Sequence, residues 1–245
     1  PRRPHAEEAL LGHAELSHRR KDLLEGCLNR PIRSFVLRQG RTTPAQGRAL
    51  EQLYPKYGVA FSEQKISSPR NAPLVVEIGS GMGETTIEIA RAHPEADFIA
   101  IEVHGPGVGS LLNRIDAEGL NNLRVIRHDA VEVLERMVGD GTLAALHLFF
   151  PDPWPKKRHH KRRLVQPAFA SLIGRKLAAG GFVHLATDVP DYADHMVDVF
   201  SRDGTFAAAS GGFAERPATK FEKRGRKLGH PIRDLVFVRR QGASA

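Results

Sequence analysis

Four acidic residues in this chain each close a short apolar run: Glu77 in LVVEIGSGMGE, Glu102 in DFIAIEVHG, Asp129 in LRVIRHDAVEV and Asp152 in AALHLFFPDPWP. Glycines 79, 81 and 83 follow the first run, and glycines placed there let backbone N–H groups come close to a bound molecule. The spacing GxGxG differs from the dinucleotide fingerprint GxGxxG, which would put glycine where this chain has Glu84. A carboxylate at Glu77 would also repel a pyrophosphate, whereas it would attract the ammonium and sulfonium of S-adenosylmethionine. Glu102 lies close to the spacing at which an acid accepts hydrogen bonds from ribose hydroxyls. Asp129 read alone is as good a helix N-cap as a ligand contact, yet one adenosyl ligand would account for all three acids.

Asp152 stands between prolines 151 and 153, which restrict the turn that carries it, with Trp154 next to pack on the core or stack on a base. Residues 156–163 are then all Lys, Arg or His, with a net charge of +6. Residues 1–41 carry a further +4 and residues 216–240 a further +7, so outside these three segments the chain, +8 in total, is acidic at −9. An acidic body with three basic attachments suits a polyanion touched at chosen places. A solvated helix face is the plainer account of the basic run, but six cations without an acid attract counterions such as phosphates.

These residues need elements to position them. From residue 74 onward, apolar runs alternate with helix-length stretches, which predicts an α/β fold with a mostly parallel, doubly wound sheet. Strands are expected at 74–78, 97–102, 123–127, 144–150 and 181–187, and helices from Glu84 to about His93 and near 105–118. PAQGRALEQLY opens a further helix at Pro44, followed by a loop to Pro73. No helix-length pattern separates the last two strands, 205–210 and 235–240, so an antiparallel edge pair is expected there. Residues 1–34 read as a basic, flexible N-terminal arm, and 35–245 as a single domain with a substrate-binding segment at 216–230.

The single cysteine, Cys27, excludes a disulfide framework within the chain and any CxxC site. No apolar run approaches the roughly eighteen residues needed to span a bilayer, and the first residues lack a signal-peptide core. A cytoplasmic location without membrane partners follows as the expectation. His159 and His160 are adjacent and cannot share a helix face, so no metal site is expected.

VEIGSGMGE, IEVHGPGVG, HDAVEVL, FFPDPWPKKRHHKRR, ATD at 186–188 and TKFEKRGRKLGH at 219–230 together resemble the bacterial tRNA (guanine-N7-)-methyltransferases over residues 35–240. The resemblance implies a seven-stranded, Rossmann-like class I methyltransferase sheet, S-adenosylmethionine as cofactor, and tRNA as partner. The acceptor would be a guanine of the tRNA variable loop (position 46 in tRNA numbering). By position, Glu77, Glu102, Asp129 and Asp152 would contact the cofactor, with Asp152 also catalytic. Lys156, Asp188 and the segment Thr219, Lys220, Phe221 and Glu222 would meet the substrate. Arg158, His159, His160, Lys161, Arg162 and Arg163 would touch RNA. Asp188 has a plainer role as a cap for a helix near Pro190. Residues 219–222 have one as an ordinary loop that Gly225 and Gly229 allow to bend.

Guanine N7 carries a free lone pair and needs no general base. Asp152 would instead place charge and orient the ring, with its basic neighbours favouring the ionised carboxylate. Cys27 lies outside the motifs, which argues against covalent attack through a thiol. A methyltransferase acting on an exocyclic amine, a pure RNA-binding protein with a degenerate fold and, more distantly, a dehydrogenase are the alternatives. Neither composition nor motif decides between a monomer and a weak homodimer.

Overall fold

The computed structural model describes residues 33–36, 40–210 and 216–242. The expected N-terminal arm, with Cys27, lies outside them apart from Arg33 and Ser34. All elements described here belong to one compact unit, Phe35–Ala245.

The parallel strands are β1 (Leu74–Ile78), β2 (Asp97–Ile101), β3 (Leu123–Ile126), β4 (Leu143–Phe149) and β5 (Leu177–Thr187), followed by β6 (Phe206–Ala209) and β7 (Arg233–Arg239). Their order in the sheet is β3-β2-β1-β4-β5-β7-β6, with β7 antiparallel to both neighbours. The last strand therefore enters between β5 and β6 and leaves β6 at the edge. The expected antiparallel pair at the edge of the sheet is present, with β7 as its inner member. The face that β7 shares with β5, including Phe237 in the core, fixes its interior place.

Alternate residues of β1 feed two cores, as expected for a parallel strand covered on both sides. Leu74, Val76 and Ile78 meet α5 (Ala130–Arg136), α6 (Pro167–Lys176) and α7 (Pro190–Arg202) through Val133, Leu134, Phe169, Tyr192 and Met196. On the other face Val75 meets α3 (Glu84–Ala92) and α4 (Gly105–Glu118) through Ile87, Leu111 and Leu112. Glu77, two residues after Val75, points to this second layer. Ahead of the sheet, α1 (Pro44–Gln52) starts at the expected proline. Thr43 Oγ1 accepts from Gln46 N while the Gln46 side chain accepts from Thr43 N, a reciprocal cap. A short α2 (Tyr54–Tyr57) and a bridge from Gly58 to Val125 tie the next segment to β3, so it is less loop-like than its sequence suggests.

One further helix was not expected: α8 (Lys220–Lys227) occupies the segment between β6 and β7. Its sequence, KFEKRGRK, contains a glycine and almost no apolar residue, so periodicity gives no helix signal there.

Candidate active site and nucleic-acid face

The strand order brings the four acids to the carboxyl ends of four adjacent strands: Asp129 after β3, Glu102 after β2, Glu77 in β1 and Asp152 after β4. Three inter-strand steps of about 4.8 Å set a span of roughly 14 Å, suited to an adenosyl ligand. The chain reverses its winding between β1 and β4, and open α/β sheets bind ligands at such a crevice.

At β1, glycines 79, 81 and 83 all have positive φ, and around Gly79 and Gly81 a side chain would meet only open space. Their conformation and open surroundings leave backbone groups accessible, as a cofactor cradle requires. Glu102 pins this loop: its two carboxylate oxygens accept from Gly81 N and His104 N, both at 2.8 Å. A carboxylate has about four acceptor positions, so capacity remains for a ligand's hydroxyls. Glu77 is buried and accepts at 3.0 Å from the Thr86 hydroxyl of α3. Burial lifts its pKa to about 7; the Thr86 hydrogen bond opposes this, and the charge of Glu102 adds to it. A cation beside Glu77 would relieve that cost, so a sulfonium-bearing amino-acid cofactor fits the donor set. Asp129 does cap a helix, accepting at 2.9 Å from Val131 N at the start of α5. That contact fixes where its carboxylate sits and does not exclude a ligand at its second oxygen.

Two glycines in α4 were quoted in the motif but given no role. A Cβ on Gly107 would stand 2.6 Å from Gly81 O and 3.5 Å from Glu102 Cγ, and one on Gly109 would meet the α1 backbone at Gln46 O. These positions admit α4 against the glycine loop and against α1. The letters GPGVG hint at close packing but cannot say with what.

The Asp152 loop is held at several points. Phe150 N donates to Ala186 O in β5, Arg163 Nε donates to Pro153 O at 2.9 Å, and the Arg162 guanidinium lies 3.9 Å from the Trp154 ring centroid. His159 meets that ring edge-on, so Trp154 packs against residues of its own loop. Phe150 and Trp154 both have positive φ, at 51° and 45°, conformations that cost of order 1–3 kcal/mol each and persist only where surroundings impose them. Asp152 is reached by solvent, yet partial desolvation raises its pKa, and the attraction of Arg162 is too weak to reverse this. The expectation that its basic neighbours dominate is thus corrected: most of those cations point into water, where their fields are screened.

The basic run forms a 3-10 helix, Lys157–Arg162, and its members divide. Lys156, Arg158 and Lys161 are exposed, while His159, His160 and Arg162 are half-buried. Arg163 departs from the expected RNA contact. Its side chain is 2 % exposed, donates to Asp191 and to the Pro153 carbonyl, and lies over the Tyr192 ring. A charge so enclosed cannot reach a phosphate without breaking the loop it supports.

The substrate segment divides similarly. Thr219 caps α8 by accepting from Glu222 N, and Glu222 is 4 % exposed with Arg216 and Arg226 on its two oxygens. Lys220 and Phe221 face outward, with the Phe221 ring stacked at 6.4 Å on that of Phe150. Asp188 does not cap α7, whose N-cap is Val189; its Oδ2 instead meets His230 Nδ1 at 3.2 Å. Gly225, expected to bend a loop, lies inside α8, where a Cβ would crowd Asp188 Oδ2 at 3.0 Å. Gly229, with φ of 75°, follows the end of the helix. Arg216, Asp234 and His184 were missed altogether, since the sequence marks Arg216 only as one more cation in a basic tail.

Among the described residues no group of three His, Cys, Asp or Glu is placed to hold a metal ion, and no helix is long and apolar enough to cross a membrane.

In known structures the same fold recurs in the 16S rRNA methyltransferase KamB, with a TM-score of 0.50, 15 % identity, and coverage of 82 % of this chain and 95 % of that one. A family model described as "Putative methyltransferase" matches residues 71–235, from just before β1 into β7. The tRNA (guanine-N(7)-)-methyltransferase of Nitrosomonas eutropha is 55 % identical over 217 residues, covering 85 % of this chain and 97 % of that protein. Proteins of the same name from Nitrosospira multiformis and Neisseria meningitidis serogroup B are 50 % and 51 % identical, covering 90 % and 86 % of this chain and 100 % and 92 % of theirs. With its acids on four adjacent strand ends and relatives matched along nearly their whole length, the chain belongs to the tRNA (guanine-N(7)-)-methyltransferase family.

Proposed function

We propose that this chain transfers a methyl group from S-adenosylmethionine to N7 of a guanine in the tRNA variable loop, position 46 in tRNA numbering, forming 7-methylguanosine in the cytoplasm. The observation that carries the reading is the placement of Asp152, on a loop held by Arg163 and Arg162, at the strand end next to the glycine loop of β1. Bound along β1–β3, the cofactor supplies an electrophilic methyl group.

Glu77 and Glu102, with the backbone of Gly79, Gly81 and Gly83, would hold the cofactor, and Asp129 would meet its adenosyl end. Asp152 would accept from the N1–H or amino group of guanine and so aim N7 at the methyl carbon. Its charge would also stabilise the positive charge that develops on the purine, in a place prepared before the reaction. N7 bears no proton to lose, so no group in the chain has to act as a base. Exposed Lys156, Lys220 and Phe221 would meet the entering nucleotide, and exposed Arg158 and Lys161 would meet phosphates. Such contacts position the RNA without selecting its sequence.

Incubation with labelled S-adenosylmethionine and unmodified tRNA, followed by nucleoside analysis, is expected to give 7-methylguanosine. An N-methylated exocyclic amine or an unlabelled RNA would overturn the proposal.

A further inference from the structure

Arg216 joins three segments that are distant in sequence. Its Nε and Nη2 donate to the two oxygens of Asp234 in β7 at 2.6 and 2.9 Å, and its Nη1 donates to Glu222 Oε2 in α8 at 2.5 Å. The guanidinium also lies 5.3 and 5.4 Å from the ring centroids of Phe149 and Phe150, the residues that lead into the Asp152 loop. Its side chain is 6 % exposed. Asp234 has a second partner, His184 in β5, whose Nε2 lies 2.9 Å from Oδ1, and the His184 ring stands edge-on to Phe149. The other oxygen of Glu222 takes both Nε and Nη2 of Arg226. The charges in this cluster are closely matched, and it encloses both Arg216 and Glu222.

We propose that Arg216 is a positioning residue: clamped between Asp234 and Glu222 and lying against Phe149 and Phe150, it sets α8 at the Asp152 loop, with Glu222 as its anchor in the helix. The planar fork of an arginine suits the task, because it serves a bidentate carboxylate, a second carboxylate and an aromatic face at once. Lysine offers one point charge and cannot fix all three. Docked this way, α8 presents Lys220 and Phe221 beside Phe150 while its acid faces inward.

The inference rests on the proposed methyl transfer, which production of 7-methylguanosine by the unaltered chain tests separately. Arg216→Gln, Glu222→Gln and the double variant are compared for tRNA kcat and KM, cofactor affinity by calorimetry, and thermal midpoint. Each single change is expected to lower kcat by on the order of 10- to 100-fold, the cost of a small misplacement of reacting groups. Cofactor affinity should stay within about twofold, since the glycine loop is built from other strands. The double variant should be no worse than the poorer single, because both changes break one linkage. Arg216→Lys should recover only part of the loss. Independent, multiplying losses would show that Arg216 and Glu222 act separately and overturn the proposal, as would full recovery by lysine or a change confined to KM. Should Arg216→Gln fail to fold, Glu222→Gln and Arg216→Lys carry the same test: lysine at full activity beside an impaired Glu222→Gln sinks the linkage.

Discussion

The β1–β3 half of this molecule, where the cofactor is proposed to bind, and the β4–β7 half, proposed to take the acceptor, are built differently. On the β1–β3 side each acid is fixed by neighbours close in sequence or on the adjoining strand: Glu77 by Thr86, Glu102 by Gly81 and His104, Asp129 by the helix it caps. On the β4–β7 side the Asp152 loop and α8 are fixed by arginines reaching across the fold, from Arg163 to Asp191 and from Arg216 to Asp234. The first arrangement follows from strand-to-helix turns, whose backbone groups supply the donors to Glu102 and Asp129, while a hydroxyl of the following helix serves Glu77. The second depends on side-chain forks and on two strained residues, Phe150 and Trp154, that only their surroundings hold in place. A small cofactor of constant shape can be met by local, preset geometry. A folded RNA is met over a wide surface, where ion pairs can orient separate segments toward one reacting atom.

The sharpest way to break this division is Asp152→Ala. It should lower kcat by roughly 10²–10³-fold, the usual cost of losing one preorganised electrostatic group, while tRNA affinity measured by filter binding changes little. Equal losses in both would make Asp152 a binding residue. For the intact enzyme, kcat should fall as pH drops through the raised pKa of Asp152, since only the ionised carboxylate accepts from guanine. A profile flat down to the ordinary aspartate range would contradict that role.

Next in size is Glu77. An acid whose folded pKa rises from 4.5 to about 7 contributes stability that is fully present below pH 4.5 and is lost as pH climbs through 7. The loss amounts to roughly 3 kcal/mol at 1.36 kcal/mol per unit. Glu77→Gln should therefore raise the cofactor-free thermal midpoint at pH 8 by several degrees while weakening S-adenosylmethionine binding. At pH 4, where both forms are neutral, the midpoints should converge; calorimetric scans at the two pH values decide it.

Gly107→Ala comes third, with about tenfold weaker cofactor binding, worth about 1.4 kcal/mol, because its Cβ must displace the Gly81 carbonyl. Gly47→Ala, with nothing within 4 Å, is the control and should stabilise α1 slightly, by up to about 1 kcal/mol. Equal cofactor affinities in the two variants would remove Gly107 from the cradle.

The smallest effects should come from the basic run and separate its members. Neutralising Arg158 and Lys161 should flatten the salt dependence of tRNA binding by up to about one slope unit for each phosphate no longer neutralised, with no change in thermal midpoint. Arg163→Ala should do the reverse, lowering the midpoint because it strips a buried cation from its partners. Unfolding scans beside salt titrations distinguish the two.

The seven-strand alternation, the glycine loop and the acids at strand ends were legible because each is a local pattern: a short apolar run of strand length, a turn that demands positive φ, a polar residue ending an apolar run. The resemblance extended that reading to Asp188 and to residues 219–222 but could not divide their roles. Thr219 and Glu222 proved to be a cap and an inward ion pair, beside outward Lys220 and Phe221, in a polar helix that offered no periodicity to read. Arg158 and Arg163 are likewise the same letter in one charged run, and burial alone tells them apart.

What the sequence determined by itself was the set of chemical groups and their order along the strands, since hydrophobic period and glycine placement act within a few residues. Tertiary structure decided which cations stay exposed, where β7 enters the sheet, and that Arg216 lies between α8 and the start of the Asp152 loop. Those outcomes turn on the desolvation of particular charges, and desolvation exists only once distant segments have closed around them.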